Sequence, residues 1–294
     1  MQSMRVYCVP FKAMGGPCEV QLAARDEKEA IAFAQLAIDE VRRIEHKYSR
    51  YEEHSVVSEI NRSAGQAVTL DKETESLLAY AMQLFKDSDG LFDITSGVFR
   101  KAWNFKSGAL PSQQSLDALL PQVGMQHLSL TGNQLRLSCG EIDFGGFGKE
   151  YAADRAALQL KQQGVAHALI NLSGDLHALG SKPDGQPWQV GIQHPRDARR
   201  MIADVPLTLG GLATSGDYER YMEVGKQRYC HVLNPKTGWP VNYWQSVTVI
   251  GPTTLHAGSL TSLVMLNEAA GLQILQNSRL SYLAIDRLGQ IYSN

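Results

Sequence analysis

Apolar stretches with helical spacing and with strand spacing are intermixed along this chain, and they do not alternate regularly. Strict β-α-β alternation would call for a doubly wound parallel sheet. Its absence points to an α+β fold, a body of mixed sheets and helices. The clearest helix runs from 27 to about 48, where Ala34, Ile38, Val41 and Ile44 recur every three or four residues. Asp71 is placed to cap a second helix that carries Leu78, Ala81 and Phe85 on one face and stops before Gly90. A third helix follows Gly148, with Ala152, Ala156 and Leu160 on one stripe and Gly164 at its end. A fourth covers about 255–266.

Strands are predicted at 6–10 and 18–23, on either side of a Met14-Gly15-Gly16-Pro17 turn. Residues 128–130 and 134–138 read as a hairpin around Thr131-Gly132-Asn133. Further apolar runs lie at 168–172, 188–192, 205–209 and 247–250, and a hairpin-like pair at 282–285 and 290–292 closes the chain. Gly108, Pro111 and Pro121 make 104–124 a surface connection with one short helix. The whole of 1–294 is expected to form one domain.

Composition excludes several functions. A formal charge of −2 leaves no basic footprint for nucleic acid. No run of about 18 apolar residues occurs, so no membrane-spanning helix is expected. Cys8, Cys18, Cys139 and Cys230 are scattered without C-x-x-C spacing, which argues against a zinc site or a disulfide framework. The first sixteen residues lack the basic and apolar segments of a signal peptide, so the expected location is cytoplasmic.

Polar chemistry concentrates in 211–240. A Thr214-Ser215-Gly216-Asp217-Tyr218 turn is followed, about a hairpin later, by His231 and a Pro235-Lys236-Thr237-Gly238 turn. Hydroxyls, amides, a carboxylate and an imidazole there suit a ligand with phosphate and ribose. Such loops are also common as plain turns. Asp143-Phe144-Gly145-Gly146-Phe147-Gly148-Lys149 reads as a strand end feeding a glycine turn and a helix N-terminus, where amides and Lys149 attract anions. It is neither a kinase string, since no H-R-D loop accompanies it, nor a Walker loop, since Glu150 stands where Ser or Thr must bind magnesium. Asp93 and Thr95, in Gly90-Leu91-Phe92-Asp93-Ile94-Thr95, are placed to cap the next helix.

Taken in order with Lys12-Ala13-Met14-Gly15, Ser49-Arg50-Tyr51 and Ser58-Glu59-Ile60-Asn61, these motifs resemble the ApbE family of FAD:protein FMN transferases, from about Met14 to about Leu266. The resemblance implies a compact α+β body with FAD in a cleft and FMN passed from FAD to a Ser or Thr hydroxyl of an acceptor flavoprotein, with release of AMP. It assigns FAD contacts to Met14, Tyr51, Leu91, Phe92, Asp93, Asp143, Lys149, Ser215, Gly216, Asp217, His231 and Thr237, with His231 as catalytic base. For magnesium it implies the backbone of Gly146 and the side chain of Ser262. The family carries an Asp four residues before that last position, and this chain has Gly258. Asn234 stands where the family commonly shows Asp, and Ser173 replaces one of two glycines. The loss of the acid at 258 leaves two alternatives: an FAD-binding protein without transferase activity, or a flavin pyrophosphatase releasing FMN and AMP.

Overall fold

Strand β1 (Arg5–Ala13) turns through Met14 and Gly15 into β2 (Gly16–Ala24), and both turn residues have positive φ, 53° and 76°. Two such residues in a two-residue loop match the twist of a hairpin. The computed structural model describes residues 4–225 and 227–294. Helix α1 (Glu27–Tyr48) begins where the Asp26 carboxylate accepts the Glu29 N–H, and it buries Ala30, Ala34, Ala37, Ile38, Val41 and Ile44. The short α2 (Val56–Arg62) and β3 (Val68–Thr69) precede α3 (Lys72–Asp87), which Asp71 caps as expected. A 3-10 helix, Ile94–Lys101, and α4 (Gln113–Leu119) lead to the hairpin β4 (Leu128–Thr131) and β5 (Gln134–Leu137). Helix α5 (Gly148–Gln162) buries Ala152, Ala156 and Leu160 completely.

The second half adds β6 (Ala168–Leu172), β7 (Asp175–Leu179), β8 (Trp188–His194), β9 (Asp197–Leu207), β10 (Gly210–Gly216), β11 (Tyr221–Val224), β12 (Gln227–Cys230) and β13 (Trp244–Gly251). Helices α6 (Thr254–Leu266) and α7 (Gly271–Ser278) and strands β14 (Ser281–Asp286) and β15 (Ile291–Ser293) complete the chain. Eight strands form one sheet in the order β1-β2-β6-β7-β10-β13-β14-β15, and every neighbouring pair is antiparallel. The fold is α+β. Ser173 closes the β6–β7 turn at φ 57°, so serine takes the left-handed geometry expected of glycine there.

Helices α1, α5 and α6 pack on one face of this sheet over a core that includes Val20, Leu22, Ile170, Val247 and Val249. The β8–β9 ribbon covers the central strands from the other side, burying Trp188, Val190 and Leu207 against Leu169, Leu176 and Leu212. A third cluster joins the Ile94–Lys101 helix to the β11–β12 hairpin through Phe99, Trp103 and Met222. None of the described helices is long and apolar enough to cross a membrane.

Two sequence expectations change. Thr214, Ser215 and Gly216 are the end of β10 and not a turn, because they pair with Thr248, Val247 and Ser246 across the sheet. The β9 strand starts eight residues earlier than the apolar run at 205–209, because its exposed first half, with Arg199 and Arg200, shows no apolar alternation.

Candidate functional site

A cleft of about 530 Å³ opens where the α5 N-terminus, the β1–β2 turn, the end of β10 and the β12 exit converge. Its lining collects residues from motifs far apart in sequence. Met14, Tyr51, Leu91, Phe92, Asp93, Asp143, Gly146, Lys149, Ser215, His231 and Ser262 all border it.

The Asp143–Lys149 segment builds one wall; it enters the glycine turn from irregular chain, since β5 ends at Leu137, and not from the strand end expected from the sequence. Asp143 Oδ1 accepts the Gly145 N–H at 2.8 Å, which holds the glycine turn. Its Oδ2 faces Arg50 at 3.3 Å and Arg100 at 3.4 Å. Helix α5 follows Phe147 with no side-chain cap; the Phe144 carbonyl takes the Gly148 N–H at 2.8 Å, so only the rest of its first turn is open to a ligand. Lys149 donates to Asp175 Oδ2 at 2.6 Å. Burial opposes the lysine charge, but Asp175, Glu150 and Glu219 outweigh it and hold the ammonium protonated well above its ordinary value.

The same wall continues at the turn after α3, where the Ile94 carbonyl accepts the Asp143 N–H at 2.8 Å. Asp93 does cap the following 3-10 helix, its Oδ1 accepting the Thr95 N–H at 2.8 Å and the Thr95 hydroxyl at 2.6 Å. Burial raises its pKa although the Thr95 bonds oppose that. Phe92 is buried against Phe147, with ring centroids 6.2 Å apart. Met14 anchors its backbone N–H on Glu45 at 2.6 Å and borders the cleft with its half-buried side chain. Tyr51 is 78% exposed at the rim, so its ring face is available to a flat ligand.

His231 is held by the Arg220 carbonyl, which accepts from the backbone N–H at 2.9 Å and lies 3.2 Å from Nδ1. A carbonyl only accepts, so Nδ1 carries the proton and Nε2 is left as a base. Burial, with help from the Arg220 charge, lowers the imidazole pKa to about 4, so the ring is neutral at pH 7.

Gly216, Asp217 and Thr237 lie outside the lining of the cleft. A Cβ on Gly216 would meet the Tyr218 ring at 2.4 Å. The Asp217 carboxylate is bound by the Arg196 guanidinium at 2.6 and 2.7 Å. Thr237 accepts the Trp239 N–H within a tight turn that Trp103 braces through the Gly238 carbonyl. These residues shape the surrounding loops. Sequence reasoning overlooked Arg50, Arg100, Asp175, Glu219 and Arg220, which also line the cleft. Arg50 stands inside the Ser49-Arg50-Tyr51 motif, and the other four gain meaning only from the fold.

Glu150 and Gly258 meet at the junction of α5 and α6. A Cβ built on Gly258 would fall 2.5 Å from Glu150 Cγ and 2.6 Å from its Oε1. The glutamate side chain therefore fills the space that any side chain at 258 would take. Glu150 is buried, and its Oε2 has no hydrogen-bond partner among the described residues. Burial first, and then the Asp175 charge, push its pKa up. Beside it, Ser215 Oγ and Thr261 Oγ1 lie 2.8 Å apart, and Thr261 Oγ1 donates to the Gly258 carbonyl at 2.9 Å.

A second cavity of about 580 Å³ lies between the sheet and β8 and meets the cleft at Met14, Gly15, Lys149, Thr214, Glu219 and Arg220.

The sequence profile of the ApbE family matches residues 14–284. An FAD:protein FMN transferase of Salmonella typhimurium is 30% identical over 95% of this chain and 84% of its own length. The ApbE protein of Thermotoga maritima superposes with a TM-score of 0.90 at 28% identity, covering 99% of this chain and 97% of its own. The flavinyl transferase ApbE of Pseudomonas stutzeri superposes with a TM-score of 0.86 at 30% identity, covering 99% and 95%.

Proposed function

The chain belongs to the ApbE family, and from that premise we propose that it transfers FMN from FAD to a Ser or Thr hydroxyl of an acceptor flavoprotein. One observation carries the reading. Five motifs and Ser262, spread over about 250 residues from Met14, border a single cleft. The exposed Tyr51 ring supports stacking on a flavin or adenine, and Lys149, Arg100 and Arg220 supply positive charge for the pyrophosphate.

In the proposed reaction the acceptor oxygen attacks the FMN-side phosphorus. A new P–O bond forms, the bond to the bridging oxygen breaks, and AMP leaves with that oxygen. His231 Nε2 takes the hydroxyl proton. A base already neutral at pH 7 is suited to this, because it need not lose a proton first. Asp143, fixed by Arg50 and Arg100, keeps the glycine turn open toward the ligand. The acceptor segment approaches through the second cavity, which joins the cleft beside Lys149.

Carboxylates outnumber cationic side chains around the cleft, so an anionic dinucleotide calls for an added cation there. The oxygen donors present fit magnesium: Ser262, the backbone of Gly146 and the unpartnered Glu150 oxygen border the same space. When bound, the ion would neutralise pyrophosphate charge. Incubation with FAD, magnesium and a Ser/Thr-containing acceptor tests the proposal. The acceptor should gain the mass of FMN less water, with AMP formed in equal amount. AMP and free FMN without acceptor labelling would mark a pyrophosphatase, and intact FAD would refute both.

A further inference from the structure

We propose that Glu150, reaching from α5 into the space above Gly258, is the carboxylate ligand of a divalent cation in this cleft. The inference rests on the FAD-transferase reading for the cation's purpose but stands on its own geometry. Three features coincide at one point. The first is a glutamate buried to 7% exposure that keeps one oxygen without a partner. Leaving a buried acceptor unsatisfied costs about 1–3 kcal/mol, so a fold that retains one has a reason outside its own hydrogen bonds. The second is a glycine in the interior of α6, where a Cβ would strike the Glu150 side chain at 2.5 Å. Glycine is a poor helix residue, and here its absent side chain is what lets the carboxylate in. The third is the company Glu150 keeps: it borders the cleft together with Ser262, one turn beyond Gly258, and with Gly146 of the glycine turn.

These are hard oxygen donors of three kinds, carboxylate, hydroxyl and backbone carbonyl, which suit magnesium or manganese better than softer metals. Asp175, the other buried acid nearby, is engaged by Lys149 at 2.6 Å and is less free to serve. The acid that position 258 lacks is thus supplied by a neighbouring helix. The site needs no residue at 258 beyond the space that glycine leaves.

Manganese binding, read by electron paramagnetic resonance with and without FAD, tests this apart from turnover. The unmodified protein should bind one Mn²⁺, displaceable by Mg²⁺. Glu150→Gln keeps the shape and removes the charge. It should weaken Mn²⁺ by at least the roughly 10–100-fold that loss of an outer-shell partner costs. The exchanged pair Glu150→Gly with Gly258→Asp should recover most of that loss, because it returns one acid to the same space from the other helix. Wild-type affinity in Glu150→Gln overturns the proposal, as does an unmodified protein that binds no Mn²⁺. Failure of the exchanged pair to recover binding, in a protein with native circular dichroism, also overturns it. FAD affinity and FMN transfer are measured on the same samples. A protein that transfers FMN with unchanged metal binding in Glu150→Gln refutes this inference alone, whereas a protein that binds Mn²⁺ but not FAD refutes the transferase reading alone.

Discussion

Gly258→Asp would seem from the sequence to repair the metal site, since it restores an acid one turn before Ser262. The structure leads to the opposite expectation. The new Cβ would sit 2.5 Å from Glu150 Cγ and 2.9 Å from its Cδ, well inside contact distance. Overpacking of this kind costs about 1–3 kcal/mol. The better helix propensity of Asp over Gly returns only about 0.3 kcal/mol. A second buried acid next to Glu150 and Asp175 adds like-charge repulsion, so the net loss should be about 1–3 kcal/mol in stability near neutral pH. The sign with pH follows from Glu150, whose folded pKa is raised. Such a group binds a proton on folding, so its cost is absent below the ordinary glutamate value and grows as pH rises through the window up to the raised one. The repulsion from the added Asp acts only when Glu150 is ionised, so the variant should be closest to the parent in mild acid and furthest from it in mild alkali. Urea unfolding of the two singles Glu150→Ala and Gly258→Asp and of the double, without divalent cation, gives the coupling. Removing Glu150 frees the space, so an interaction energy of about 1–3 kcal/mol is expected. A coupling below about 0.5 kcal/mol would show that Glu150 leaves the site without strain, and would refute the steric account.

Tyr51→Ala should weaken FAD binding by about 1–3 kcal/mol, by analogy with base–aromatic stacking; unchanged affinity in a fluorescence titration would assign the exposed ring no role. His231→Ala should abolish transfer while largely sparing FAD affinity, because a base acts in the transition state; full turnover would remove it from the mechanism. The acid limb of the pH–rate profile should fall near pH 4, where His231 gains its proton, and activity should rise with pH through that point; a limb near the ordinary histidine value would mean that the ring is not desolvated. FAD should bind more tightly than FMN, since motifs from Met14 to His231 line one cleft of about 530 Å³; equal affinity would contradict a site of dinucleotide length.

Local pattern made much of this fold legible. The stripe on α1, the Asp71 cap, the stripe on α5 and the hairpin at β4–β5 all carry their signal within a short window. The order of the eight-stranded sheet does not, because β2 pairs with β6 across well over a hundred residues and no periodicity encodes that partner. Edge polarity hid most of β9, and regular pairing turned the expected Thr214–Gly216 turn into strand. At the site, the motifs lead to residues that share one cleft, but no motif reveals that Arg196 binds the Asp217 carboxylate. Gly258 looked like a loss for the same reason. Only packing shows that Glu150, more than a hundred residues earlier, occupies its space.

The central claim is attack by an acceptor hydroxyl on the FMN-side phosphorus, and oxygen labelling tests it most directly. The reaction is run in heavy-oxygen water with FAD, magnesium and a Ser/Thr acceptor, and every phosphate-bearing product is weighed. Transfer predicts an acceptor carrying FMN and an AMP, neither containing heavy oxygen. Heavy oxygen in free FMN with an unlabelled acceptor would show attack by water, and an acceptor carrying AMP would place the attack on the wrong phosphorus; either result contradicts the account.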